Sequence, residues 1–307
     1  MPEVSRHVHI VDQVPELEGV APVLVVALDG FLDAGNAAHL AVEHLLAAQE
    51  DGHQGRVVAS LDIDAFFDYR ARRPPMRFVE DHYESYLPPR LVVRVQTDQN
   101  GASYLLLHGP EPDTHWEAFA GAVRSVVEHF AVRLVVALGS VPMAVPHTRP
   151  VMATNHATRA DLLIGPNIWR GVIQIPASAL ALLELRLGEW GHDAMGFVAH
   201  VPHYVSQVDF PAGAVKLLEC LEVVTGLQWA LEDLQSAADT RTAEISQQVD
   251  ESSEVKEVVA GLEQQYDALS RPPDEPLPLA EERQLPTAEE LGEEFERFLA
   301  GLDKDDD

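Results

Sequence analysis

Residues 23–46, VLVVALDGFLDAGNAAHLAVEHLL, decide the fold. An apolar run ends at Asp29-Gly30, a polar loop passes through Asp33-Ala34-Gly35-Asn36, and an Ala-rich helix follows. This is a strand–loop–helix unit with its polar groups just past the strand's carboxyl end, where open α/β sheets place their ligand sites. Residues 133–150, RLVVALGSVPMAVPHTRP, repeat the design. Unbroken apolar runs of this kind suit strands covered on both faces.

Outward from these units, strands are predicted at 23–28, 56–62, 91–96, 103–108, 133–139 and 195–200, and helices at 34–48, 116–130, 177–187 and 212–231. Asn100-Gly101 between two strand-like runs signals a hairpin. The alternation implies an α/β fold with a mixed, mostly parallel sheet covered by helices. Residues 1–20 read as a lead-in and 21–230 as the core domain. Within the core, residues 62–90 carry Arg70, Arg72, Arg73 and Arg77 among prolines. That irregular excursion reads as an insertion used in subunit contacts, with an anion site as the alternative. Apolar residues recur at helical spacing from Leu231 to Leu269, interrupted at Asp250-Glu251-Ser252-Ser253. Two helices spanning 231–270, the second capped by a serine, are expected to pack on the core.

Residues 271–307 begin as a proline- and acid-rich linker, expected to be disordered. Thr287-x-x-Glu290 is a capping box. It opens a short helix over about 287–300 with Leu291, Phe295, Phe298 and Leu299 on one side. A helix this short is marginal alone, so it is expected to dock on its own chain or on a protein partner.

The net charge of −29 narrows the partners. Residues 272–307 hold 13 acids and 3 bases, and 232–269 hold 10 acids and 2 bases. Phosphate backbones require a basic surface, so no nucleic-acid partner is expected. The single cysteine, Cys220, excludes an intrachain disulfide and reads as a buried thiol in an apolar helix. The first twenty residues lack a signal-peptide pattern, and no apolar run reaches the ~18 residues of a membrane span. A cytoplasmic location with no membrane contact is expected.

No G-x-G-x-x-G, P-loop, G-x-S-x-G or H-E-x-x-H motif occurs, so no cofactor is identified. His200-Val-Pro-His203 has i, i+3 spacing, but the proline argues against a helical metal pair, and no metal is expected. Four polar clusters follow strands. Asp29, Gly30, Asp33 and Asn36 form the first. Its two carboxylates suit divided acid and base roles, or Asp33 simply caps the next helix. Glu111, held between two prolines, stands in the second, read either as a positioned catalytic group or as part of a helix-entry loop. Ser140 with His147-Thr148-Arg149 forms the third, a candidate anion site, against a structural loop with Arg149 in an ion pair. His200, His203 and Tyr204 form the fourth, suited to binding or proton transfer, or to packing under the helical pair. His39, with seven other histidines, reads as a surface or helix-face residue and receives no role.

VALDGFLDAGNAA, LLLHGPEPDTHWEAF, GSVPMAVPHTRPV and GFVAHVPHYVS, in this order, resemble the proteasome assembly chaperone 2 family, above all its largely uncharacterised actinobacterial branch. The resemblance covers roughly residues 20–270. It implies a core like that of purine nucleoside phosphorylases and peptidyl-tRNA hydrolases. It also implies an oligomerising hairpin, with a homotrimer favoured, and a C-terminal helical lid over a ligand site. Asn100-Gly101 is the candidate hairpin. Proteasome-assembly members dock through a hydrophobic–tyrosine–any-residue tail, whereas this sequence ends Asp305-Asp306-Asp307, so that docking mode is not expected.

Two functional readings follow. The first is a lidded pocket for a small, anionic ligand, with hydrolysis or phosphorolysis left open. Arg149 holds the anion, Asp33 or His203 acts as base, and Glu111 joins them. Asp29, Gly30, Asn36, Ser140, His147, Thr148, His200 and Tyr204 line the pocket. The alternative is a non-enzymatic interaction protein or assembly chaperone.

Overall fold

In the computed structural model, residues 5–47, 55–165 and 172–269 are described. The expected tail helix at 287–300 and its linker lie outside them.

The strands are β1 (Val8–Ile10), β2 (Val23–Asp29), β3 (Arg56–Leu61), β4 (Met76–Val79), β5 (His82–Tyr86), β6 (Val92–Thr97), β7 (Ser103–Pro110), β8 (Leu134–Met143), β9 (Ala153–Ala157) and β10 (Ala194–Pro202). The helices are α1 (Ala37–Ala47), α2 (Ile63–Phe66), α3 (Trp116–His129), α4 (Ala179–Glu189), α5 (Pro211–Thr225), α6 (Glu232–Asp250) and α7 (Ser253–Leu269). Eight strands form one mixed sheet in the order β1-β3-β6-β7-β2-β8-β10-β9. The central strands β7, β2, β8 and β10 are mutually parallel, and the flanking pairs are antiparallel.

The apolar runs are unbroken because each strand feeds two cores. In β2, Val23, Val25 and Ala27 face the core built with α1 and α5, while Leu24, Val26 and Leu28 face the one built with α3 and α4. A single-residue slip would exchange the two sets, so both cores fix the register. The 231–269 segment splits as the sequence implies: Ser252 Oγ accepts from the Val255 amide and caps α7. Ile245 and Val249 of α6 and Val255, Val259 and Leu262 of α7 join the α1–α5 core.

Four features differ from the sequence expectation, one of them β9, which the sequence left unassigned and which pairs antiparallel with β10. β1, inside the expected lead-in, pairs with β3 as an edge strand. The Asn100-Gly101 turn joins β6 to β7 within the main sheet. Asp98 accepts from the Asn100, Ala102 and Gln228 amides and ties that turn to the chain after α5. The hairpin that projects lies instead in the 62–90 excursion, where β4 and β5 form a separate ribbon.

The ribbon is exposed on both faces, with Phe78 57% and Tyr83 69% exposed, and Met76, Tyr86 and Leu87 also open to solvent. An isolated two-stranded ribbon is marginal in water. Phe78 and Tyr83 pair across it at 5.1 Å, and Arg77 bridges Glu84 at 2.7 Å. Its base is fixed more firmly. Asp113 Oδ2 accepts from the Asp68 amide and from Arg72 Nη2, both at 2.7 Å. Arg72 Nη2 also donates to the Glu111 carbonyl, and its guanidinium lies over Phe67 at 4.6 Å. The return strand closes on Gly109, whose φ of +131° and lack of a side chain admit the Arg90 carbonyl.

Candidate functional site

The polar clusters of the sequence separate into three places, and most of their groups bond to the protein itself.

Around the β2–α1 loop, Asp33 Oδ1 accepts from the Ala38 amide at 2.7 Å. Ser140 donates its backbone amide to the Leu32 carbonyl and its hydroxyl to the Ala34 carbonyl. Asn36, at φ +49°, donates to Asp209 at 2.6 Å. Gly35 bonds through its amide and its carbonyl to Ser206 and Phe210. These bonds lock the loop onto β8 and the chain entering α5.

Burial pushes the Asp33 carboxyl up to about 6, with the Asp29 charge adding to it and the Ala38 amide opposing it. The folded state therefore holds a proton between about pH 4 and 6 that the unfolded chain has released. Stability contributed by Asp33 is complete below about pH 4 and is lost as pH rises through about 6. Asp33→Asn keeps the acceptor for Ala38 and removes the titration. We expect it to raise stability at pH 7 by on the order of 1–2 kcal/mol and to flatten the profile between pH 4 and 6. Denaturant titrations at four pH values check this, and an unchanged slope in the variant would assign that dependence to another group.

Glu111 is a strut. Its Oε2 accepts from the Phe31 amide at 2.9 Å and its Oε1 from the Ala179 amide at 2.8 Å, at the start of α4. A carboxylate there also meets the positive end of the helix. Gly30 is required beside it, because a Cβ at that position would lie 2.5 Å from the Glu111 Cβ.

The third place gathers His147, Thr148, Arg149, His203 and Tyr204. Tyr204 Oη accepts from the His147 amide and donates to Nδ1 of the same ring at 2.7 Å. That leaves His147 Nε2–H to donate to Ser246 of α6 at 3.1 Å, and Ser246 donates on to the Thr242 carbonyl. Burial lowers the His147 pKa against the pull of Glu263, so the ring is neutral in this chain of bonds. Arg149 grips Asp267 with two bonds of 2.8 and 2.9 Å and reaches Glu263 at 3.0 Å. Thr148 also donates to Glu263, and Tyr266 donates to the Pro150 carbonyl. The His147–Pro150 motif thus clamps the helical pair. A cavity of about 380 Å³ lies beside it, bounded by residues 147–151, α5 and α6. His203 meets the Tyr204 ring edge to face, with centroids 5.4 Å apart, and His200 bonds Thr154 in β9.

A second cleft, of about 520 Å³, opens at the ends of β2 and β7. Asp29 and Gly109 line it, with His39, Glu43 and His108. His39 bonds Asp29 at 2.9 Å and faces Glu43 at 3.4 Å. Burial opposes the charge on His39, but the two carboxylates outweigh it and hold its pKa above the ordinary value. Burial, with Arg94 beside it, drives His108 down to about 4. His39 and Glu43 received no role in the sequence, and His108 stood only as the first residue of the second polar cluster, His108-Gly109-Pro110-Glu111-Pro112-Asp113. The β2–β7 neighbour relation that joins them crosses some seventy residues, and the only local signal was the i, i+4 spacing of His39 and Glu43 on α1. Among the described residues no group of three or more His, Cys, Asp or Glu side chains is placed to hold a metal ion. Among the same residues no helix is long and apolar enough to cross a membrane.

Fold and site together define an α/β protein whose strand-end loops are engaged in holding a C-terminal helical pair and an exposed ribbon. The chain belongs to the PAC2 family, whose model matches residues 27–249. It is similar to a Mycobacterium tuberculosis protein of unknown function, Rv2714, with 45% identity, a TM-score of 0.78, and coverage of 87% of this chain and 90% of that one. A Corynebacterium glutamicum protein of unknown function is 35% identical, with a TM-score of 0.79 and coverage of 86% and 97%. The M. tuberculosis proteasome-assembly chaperone homologue Rv2125 is 30% identical, with a TM-score of 0.70 and coverage of 77% and 99%. No curated protein matches the sequence.

Proposed function

We propose that the protein acts by binding other protein chains, first copies of itself, as a non-enzymatic assembly module. The observation that carries this reading is the β4–β5 ribbon, which exposes Met76, Phe78, Tyr83 and Tyr86 and is tied at its base by Arg72, Asp113 and Gly109. Rigidly mounted, exposed apolar groups lower the ordering cost of association. Kinship with a proteasome-assembly chaperone homologue points to proteasome subunits as a further class of partner. A homotrimer is the expected state from the family resemblance. The occupation of Arg149 by Glu263 and Asp267 weighs against the anionic-ligand reading.

Sedimentation velocity tests the proposal. Phe78→Ser with Tyr83→Ser should weaken self-association at least ~30-fold, since buried aromatics dominate interfaces, while circular dichroism and Tm stay near wild type. An unchanged association constant would sink the ribbon's role.

A second reading, a small-ligand site, is supported by the 520 Å³ cleft. Its carboxylate-rich wall suits a donor-bearing or cationic ligand, with Asp29 and His39 as contacts. In this reading Asp33 and Glu111 shape the loop.

A further inference from the structure

The ribbon carries charge as well as apolar surface. Residues 69–79, YRARRPPMRFV, hold four arginines and no acid, three of them in the chain that enters the ribbon, whereas the turn between β4 and β5 carries Glu80 and Asp81 and β5 carries Glu84. Arg72 and Arg77 are paired, with Asp113 and Glu84. Arg70 and Arg73 are exposed and form no ion pair among the described residues. The base of the ribbon, where Arg70 and Arg73 enter beside the exposed Met76 and Leu87, therefore suits an occupant both apolar and acidic.

The chain contains one. Residues 287–300, TAEELGEEFERFLA, hold five acids and one base, and Leu291, Phe295, Phe298 and Leu299 fall on one side of a helical repeat. Such a segment cannot sustain a helix alone and gains stability by docking its apolar side.

We propose that residues 287–300 of one copy dock on the β4–β5 ribbon of a neighbouring copy. This rests on the reading of the ribbon as the contact surface and names what covers it. Three observations favour a neighbouring copy. The helical pair ends clamped to Arg149 and Pro150, in the layer built on α1 and α5. The ribbon is anchored through Phe66 and Asp113 to the opposite core. Residues 270–286 between them include five prolines and four acids, a composition that favours an extended chain over a sharp return. Contact of a tail with a different surface is heterologous, and it closes into a ring when the rotation between copies permits.

The full-length chain tests this by complementation. One variant carries Phe78→Ser and Tyr83→Ser in the ribbon. The other carries Phe295→Ser and Phe298→Ser in the tail. Each alone should lose self-association at least ~30-fold in sedimentation velocity, with Tm unchanged. Mixed one to one, they should associate again, because an intact tail then meets an intact ribbon. Raising NaCl to 0.5 M should weaken the wild-type contact several-fold, since the complementary charges are solvent-exposed. Loss of association in the ribbon variant with wild-type behaviour in the tail variant would overturn the tail docking and leave the ribbon's role standing. Two dissociated variants that fail to complement would mean ribbon meets ribbon, and would overturn it as well. Stronger association of the tail variant would mean that the tail covers its own ribbon, contrary to the proposal.

Discussion

Gly109→Ala should be the most damaging glycine-to-alanine substitution among the described residues. A Cβ at position 109 would lie 2.0 Å from the Arg90 carbonyl oxygen, and the backbone there sits at φ +131°. Arg90 is backbone, so it cannot turn aside, and an L residue at that φ adds strain of its own. The combined cost is about 4 kcal/mol, a large share of a domain's net stability. The damage also falls where it bears on function, because residues 90–91 close the excursion that carries the ribbon. Denaturant unfolding of the purified variant checks it. A midpoint within about 1 kcal/mol of wild type would show that the return strand can shift without loss.

Arg149→Ala should free the helical pair and leave the sheet intact. The side chain bridges two carboxylates of α7 with three hydrogen bonds, and its removal leaves Glu263 and Asp267 facing each other without a cation. Bidentate networks of this kind exceed isolated surface pairs. Opening of α6 and α7 should then become several-fold more frequent. Hydrogen exchange should report that rise in residues 232–269, with β2, β7 and β8 unchanged. Arg149→Lys should recover only part of the loss, because an ammonium cannot make the bidentate contact. Equal protection of α6 and α7 in wild type and Arg149→Ala would contradict the clamp.

The parts of this structure written in local pattern were legible in the sequence. The two-sided burial of β2 and β8, the paired helices after Leu231 and the serine cap at their junction all leave marks within a few residues. Asp33 and Arg149 each left two readings open, a site or a structural bond, and the side-chain contacts run to Ala38 and to α7. The partner of Arg149 stands 118 residues away, at a distance no periodicity signals. β4 and β5 were hidden for a different reason. Both are exposed on their two faces, so they lack the alternation that burial imposes, and the prolines and arginines around them read as irregular chain. β1 spans three residues, too few for any pattern. Asn100-Gly101 was read correctly as a turn, but a turn does not tell whether its strands project or lie inside a sheet.

Native mass spectrometry of the purified wild-type chain tests the central claim most directly. An assembly module predicts a defined multimer at micromolar concentration whose mass is that of the polypeptide alone. A monomer carrying one small molecule per chain would contradict it and return the function to the cleft beside Asp29 and His39.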